Sequence, residues 1–275
     1  MTYKFAVFGD PIVHSKSPEI HRRFGDQFGL DVAYEKVHVK ENEFESEVQK
    51  FFLDGGHGLS ITVPHKWSAF QIANELSDEA LLAGACNTLM VSDDGFYGHN
   101  TDGIGLIDDL DRLGWSPTGK RILLLGAGGA VAGCVGPLVA REPKEVVIAN
   151  RSVEKLRRIV DRFTSGVRGI SLAELDIQGA PFDLVINGIS AGLSGSAGVE
   201  LTDRILNADG ACYDLIYSVD DTPFLKMCRS LTDQRADGLG MLLSQAARQF
   251  ELWTGFLPDP FEQFIDFGRI PDARI

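Results

Sequence analysis

The feature that most constrains this chain is a stretch of 19 residues, Ile122–Ala140, without a single charge. Its length alone would suit a membrane span, but its internal order does not. Ile122–Leu125 is strand-sized, and Gly126-Ala127-Gly128-Gly129-Ala130 follows at once, with Gly133, Gly136 and Pro137 behind it. A short apolar run, a glycine cluster and a second apolar run predict a buried strand, a tight turn and a helix. In that setting the N–H groups at a helix N-terminus can meet a pyrophosphate, and the glycines permit the sharp turn and the close backbone approach. The segment departs from G-x-G-x-x-G by placing Val131 at the third glycine position.

The residues after the turn decide which dinucleotide suits it. Glu145–Ala149 is a second strand and Val153–Phe163 a second helix, joined by Asn150-Arg151-Ser152 with Lys155 close behind. An enzyme using NAD would place an acidic residue here to hold the ribose 2′-hydroxyl. Arg151 instead offers a fork for a 2′-phosphate, so NADP is preferred. The formal net charge of the chain is −13, which excludes a general binder of nucleic acid or anionic membrane. Within residues 120–168, however, ten Lys/Arg face four Asp/Glu, a basic region sized for one phosphorylated cofactor.

The flanking sequence predicts an α/β chain long enough for two domains. Lys4–Phe8, Val32–Val39 and Leu59–Val63 read as strands, and Glu43–Leu53 and Lys66–Ala73 as helices. Ser17-Pro18 opens another helix with Ser17 as its N-cap, and Asp102 caps one starting at Gly103. Thr88–Val91 and Phe96–Gly98 flank Asp93-Asp94-Gly95 as a hairpin. Phe182–Ile186 and Ala211–Ile216 are later buried strands, so the middle of the chain reads as a doubly wound parallel sheet. Two terminal helices, Leu239–Trp253 and Phe261–Phe267, are expected to return to the first domain. Cys86, Cys134, Cys212 and Cys228 stand apart from one another, as reduced cysteines of a cytoplasmic protein would. The N-terminal apolar run, Phe5–Phe8, is too short for a signal peptide. His14, His21, His65 and His99 have no metal-ligand spacing, and no metal is expected.

Seven motifs run in order from residue 14 to 246: HSKSP, ITVPHK, GACNTL, NTDGIG, GAGGA, NRS and ADGLGMLLSQA. In these the chain resembles the shikimate dehydrogenase family. The resemblance implies a substrate domain of residues 1–102 with 237–275, a Rossmann-type NADP-binding domain of residues 103–236, and an active site in the cleft between them that closes on its ligands. It implies reduction of 3-dehydroshikimate to shikimate with NADPH, in aromatic amino-acid biosynthesis, by a monomer or homodimer. Lys66 and Asp102 would form the catalytic pair. Ser15 and Ser17 would bind the substrate carboxylate, with Tyr217 near it, and Thr62, Asn87 and Gln245 the ring hydroxyls. Gly126–Ala130, Asn150, Arg151, Ser152 and Lys155 would hold the cofactor, with Ile189, Leu215 and Gly238 near the nicotinamide.

Elementary chemistry asks for the same pair. A ketone receiving hydride leaves negative charge on oxygen, and a proton donor must stand about 3 Å away. Three segments depart from the family pattern. Ser60, counted with the substrate contacts, replaces an Asn, offering one hydroxyl for an amide. Asn187-Gly188-Ile189-Ser190 replaces N-A-T-S, and Lys155 replaces a second Arg. The departures keep three alternatives in view: an NAD-linked quinate/shikimate dehydrogenase, a low-activity paralogue, and a non-catalytic NADP-binding regulator. Retention of both Lys66 and Asp102 argues against the last.

Overall fold

The structure, a computed structural model, describes residues 1–177, 179–189 and 201–262. It divides into two units, Met1–Gly105 with Leu242–Ile275, and Leu106–Met241. The expected helix Phe261–Phe267 lies outside the described residues from 263 on.

The first unit is built on a mixed sheet. Its elements are β1 (Thr2–Gly9), α1 (Ser17–Phe28), β2 (Asp31–His38), α2 (Phe44–Leu53), β3 (Gly58–Ile61), α3 (Lys66–Ile72), β4 (Glu75–Leu76), α4 (Asp78–Ala83), β5 (Thr88–Ser92) and β6 (Gly95–His99). The strand order is β2-β1-β3-β5-β6-β4. β1 pairs in parallel with β2 and β3, whereas β5 is antiparallel to β3 and to β6, the hairpin predicted around Asp93-Asp94. One sheet face packs Phe8, Phe44, Val48, Leu59 and Leu89. On the other, Phe5 stacks on Trp253 at 4.8 Å, and His21 lies between Tyr34 (4.7 Å) and Trp253 (5.3 Å). Trp253 belongs to α9 (Leu239–Thr254), so this last described helix does return to the first unit.

Two helix starts differ from expectation. Lys16 is the N-cap of α1, and Ser17 is already helical. The Ser15 hydroxyl accepts the Ser17 N–H (3.3 Å), doing from two residues upstream what Ser17 was expected to do. Asp102 is likewise the first residue of α5 (Asp102–Arg112) rather than its cap. Asn100 Oδ1 accepts the Asp102 N–H (3.0 Å), which leaves the Asp102 carboxylate for other work. Helix α4 has no counterpart in the sequence reading. It is too short for apolar periodicity, although Ser77 caps it by accepting from Ala80 N (3.1 Å) and Gly84 ends it in the left-handed region.

The second unit is the doubly wound sheet. Its strands are β7 (Arg121–Leu125), β8 (Glu145–Asn150), β9 (Val167–Ser171), β10 (Phe182–Asn187), β11 (Leu206–Asp214) and β12 (Arg235–Ala236). Its helices are α6 (Gly129–Val139), α7 (Val153–Val160) and α8 (Pro223–Cys228). All pairings are parallel, in the order β12-β11-β10-β7-β8-β9. Counted from β7 this is the Rossmann order, with the direction of winding reversing between β7 and β10. Ile122–Leu125 and Val146–Ala149 are buried throughout, as strands covered on both faces must be. The uncharged stretch is therefore β7, a turn and α6. Among the described residues no helix is long and apolar enough to cross a membrane. All four cysteines are buried, and none is in a disulfide.

Candidate active site

Lys66 opens α3 and Asp102 opens α5, and the two meet inside the first unit. Lys66 Nζ donates to Asp102 Oδ2 at 2.5 Å, and the side chains are only 10% and 2% exposed. Burying two charges is costly unless each is paired and hydrogen-bonded. Here the other carboxylate oxygen, Oδ1, accepts from Asn87 Nδ2 at 3.0 Å. Lys66 keeps two further donors.

Asn87 is the hub of this site. Its Oδ1 accepts from Thr88 Oγ1 (2.8 Å) and Thr101 N (2.9 Å). Its Nδ2, with two hydrogens, faces three acceptors: Asp102 Oδ1, Thr101 Oγ1 (3.0 Å) and Gln245 Oε1 (2.9 Å). Gln249, one turn beyond Gln245 on α9, donates from Nε2 to the Asn87 carbonyl (3.1 Å). Its Oε1 accepts the Ser60 hydroxyl (2.7 Å), so the one hydrogen of Ser60 is used within the protein. Ser60 in turn accepts from the Tyr34 hydroxyl at 2.7 Å. Ser15 Oγ donates to Ser17 Oγ at 3.1 Å. Thr62, half-buried just past β3, fixes its backbone by donating N–H to Phe8 O (3.0 Å). Lys66, Asp102, Asn87, Gln245 and Ser60 are thus tied into one hydrogen-bonded set, and Ser17, paired with Ser15 at the start of α1, meets it through the Tyr34 hydroxyl. Tyr34 and Gln249 belong to this hydrogen-bonded set although sequence reasoning did not single them out, and Asn100 and Thr101 join it although they were given no role of their own. Asn100 and Thr101 were visible inside NTDGIG, whereas Tyr34 and Gln249 carried only the signal of a polar residue on an otherwise buried face.

The second unit gathers the residues expected to hold the cofactor at the carboxyl ends of its strands. Gly126 follows β7 at φ +101, where other residues are strained, and a Cβ there would lie 3.1 Å from the Gly188 backbone. Gly128, the N-cap of α6, has open space on its Cβ side, so the backbone can be approached there. This cradle fits a pyrophosphate at a helix N-terminus. Gly188 also explains the missing third glycine. Val131 packs where a Cβ on residue 188 would stand, so the branched side chain at 131 requires glycine at 188. The departure at Val131 from the dinucleotide fingerprint and the departure at Gly188 from the family pattern are one packing solution.

Asn187 Oδ1 accepts the Ile189 N–H (3.2 Å), and the Leu215 N–H donates to Asn187 O (2.8 Å). Gly238 N donates to Ile216 O (3.1 Å), which brings β12 to the same end of the sheet. Asp214 organises this end. It accepts from Thr222 Oγ1 (2.5 Å), Asn187 Nδ2 (3.0 Å) and Ile216 N (3.1 Å). Burial nonetheless holds its carboxyl above the ordinary range, against those hydrogen bonds. Tyr217, half-buried, follows directly after this anchored turn. At the end of β8, Asn150 Nδ2 donates to Ser152 O (3.2 Å) and Ser152 caps α7 by accepting from Lys155 N (3.3 Å). Arg151 and Lys155 are exposed, and the neighbouring Glu154 is held by Arg158 at 2.6 Å. Ser190 lies outside the described residues.

A dinucleotide fold and a carboxylate-held lysine suit one chemistry, the interconversion of an alcohol and a carbonyl, and the chain is a Rossmann-type oxidoreductase. Comparison with known proteins gives the family. The chain matches the family models "Shikimate dehydrogenase substrate binding domain" over residues 7–89, "Shikimate / quinate 5-dehydrogenase" over 111–194 and "Shikimate 5'-dehydrogenase C-terminal domain" over 238–263. It is 45% identical to a shikimate dehydrogenase (NADP(+)) of Cellvibrio japonicus, covering 94% of each chain. Among solved structures it resembles an Ael1 enzyme from Pseudomonas putida, with 38% identity and a TM-score of 0.81 over 94% of this chain and 95% of that one. It also resembles the shikimate 5-dehydrogenase of Thermus thermophilus in complex with NADP(H) and shikimate, with 30% identity and a TM-score of 0.82 over 94% and 95%. The chain belongs to the shikimate dehydrogenase family.

Proposed function

We propose that this protein catalyses the reversible NADPH-dependent reduction of 3-dehydroshikimate to shikimate in the cytoplasm, as a step of aromatic amino-acid biosynthesis. The observation that carries the reading is the buried Lys66–Asp102 pair at 2.5 Å, with Asn87 on the other carboxylate oxygen. Substrate binding falls to residues 1–102 with 237–275, and dinucleotide binding to residues 103–236. Bound NADPH supplies the hydride. Lys66 uses a donor not committed to Asp102 to stabilise the charge that grows on the ketone oxygen, and passes a proton to it. Asp102 orients the Lys66 ammonium and accepts a hydrogen bond from the neighbouring ring hydroxyl. Ser15 and Ser17 turn their hydroxyls to the substrate carboxylate, with Tyr217 near it. Thr62, Asn87 and Gln245 read the ring hydroxyls. Gly126, Ala127, Gly128, Gly129 and Ala130 present backbone to the pyrophosphate. Arg151, helped by Asn150, Ser152 and Lys155, clamps the 2′-phosphate. Ile189, Leu215 and Gly238 shape the nicotinamide end.

The test crosses shikimate and quinate with NADP and NAD in initial-rate assays. The expected result is the highest kcat/KM for shikimate with NADP. A higher kcat/KM for quinate, or for NAD, would overturn the corresponding half of the assignment.

A further inference from the structure

Ser60 occupies a position where the family pattern has an amide, and the hydrogen bonds around it form a directed chain. Tyr34 is fully enclosed, and Ser17 hydrogen-bonds its hydroxyl. Burial raises that phenol well above its ordinary value, so it stays a neutral donor at any working pH. Tyr34 donates to Ser60 (2.7 Å), Ser60 to Gln249 Oε1 (2.7 Å), and Gln249 Nε2 to the Asn87 carbonyl (3.1 Å). Each group donates onward, which fixes the Gln249 amide with oxygen toward β3 and nitrogen toward residue 87. Chains of this kind polarise and rigidify one another when buried. Ser60 and Gln249 are only 5% and 4% exposed.

The chain joins two places that the substrate roles above keep apart. At one end stand Ser15 and Ser17, assigned to the carboxylate. At the other stands Asn87, assigned to the ring hydroxyls and bonded to Asp102. We infer that Tyr34, Ser60 and Gln249 act as one positioning unit for substrate binding, in which Gln249 supplies from α9 the amide that Ser60 lacks. Ser60 is then an interior bridge rather than a substrate ligand, and the unit sets the registry of Asn87 against the carboxylate site. The inference rests on the substrate reading proposed above.

The test measures kcat, KM for shikimate, KM for NADP and melting temperature for Tyr34→Phe, Ser60→Ala, Gln249→Ala and Ser60→Ala/Gln249→Ala. Each single variant is expected to raise KM for shikimate roughly 5- to 20-fold, the size of one lost internal hydrogen bond. KM for NADP should stay within about 2-fold, and the double variant should be no worse than the more impaired single one, since both break the same chain. A Ser60→Asn/Gln249→Ala exchange should recover most of the lost affinity, because the amide returns from the β3 side. Tyr34→Phe removes one oxygen only and keeps the test alive if a larger change unfolds the protein. Multiplying effects in the double variant, or a raised KM in Ser60→Ala with Tyr34→Phe and Gln249→Ala at wild-type values, would make Ser60 a direct ligand and overturn the inference. An unmoved KM in every variant of an active enzyme would overturn it too. A wild type that does not turn over shikimate fails earlier, at the reaction itself.

Discussion

Replacing Gly188 by Ala tests whether the nucleotide cradle is held by the pairing of residues 131 and 188. The added Cβ would sit 3.2 Å from Leu215 Cδ1 and 3.3 Å from Leu125 O, both tight. It would also stand more than about 1 Å inside the ~3.5–4.0 Å separation that carbon atoms prefer, against Val131 Cγ2. Val131 cannot step aside easily. It is fully buried in the first turn of α6, and a β-branched side chain in a helix has one strongly preferred rotamer. Overpacking of this kind costs about 1–3 kcal/mol, and three crowded contacts argue for the upper half. At about 2–4 °C per kcal/mol for a chain of this size, the melting temperature should fall by roughly 4–12 °C. Relief of the clash would push the start of α6 away from β10, so KM for NADP should rise more than KM for shikimate. Val131→Ala alone leaves a void and costs about 1.5 kcal/mol or more for two lost methyl groups. In the double variant the new Cβ fills that void, so the two changes should be far less harmful together than their sum. Differential scanning calorimetry of the four proteins gives the cycle. Additivity within about 0.5 kcal/mol would refute the coupling.

Lys66→Ala should lower kcat by roughly 10²-fold or more, the usual size of a general acid–base contribution, and an unchanged kcat in a folded variant removes Lys66 from the mechanism. The same variant leaves Asp102 buried without its cation and should lose about 3–5 kcal/mol of stability by urea titration. Arg151→Ala should raise KM for NADPH much more than KM for NADH, and equal effects would contradict a phosphate clamp. His21 gives a pH prediction. Burial lowers its pKa from 6.5 to about 3, so the native state refuses a proton that the unfolded chain accepts. Its share of stability is whole above pH 6.5 and is lost as pH falls toward 3, at up to about 1.4 kcal/mol per unit. His21→Phe keeps the ring stack and should flatten the decline in urea midpoint between pH 6.5 and 4.5, whereas an unaltered slope would place the acid sensitivity elsewhere.

The parts of this molecule that were legible in advance share a physical cause. β7 and the turn into α6 could be read because a strand covered on both faces and a pyrophosphate cradle each demand local composition, apolar in one case and glycine in the other. Lys66 and Asp102 could be read because their motifs are contiguous. Tyr34 and Gln249 could not, since their shared partner Ser60 lies 26 residues from one and 189 from the other. The caps at Ser17 and Asp102 were misplaced for a related reason. Each residue has the chemistry of a cap, but another group nearby met the backbone N–H, leaving the side chain for a different partner. The reason for Gly188 was not legible either, because Val131, the residue that crowds it, lies 57 positions away in the sequence.

Asn87 carries a hydrogen-bonding mismatch at the centre of its network. Its amide nitrogen has two hydrogens and three acceptors in range, so one acceptor is always left wanting. Proteins remove most such frustration because competing minima blur the native state. Here Asp102, Thr101 and Gln245 stand around the same two protons. On the substrate roles proposed above, a ring hydroxyl with a proton to give would serve the third acceptor, and a substrate with a bare carbon at that position would not. If the proposed substrate roles hold, the expected consequence is that the site selects substrates by counting protons as much as by shape.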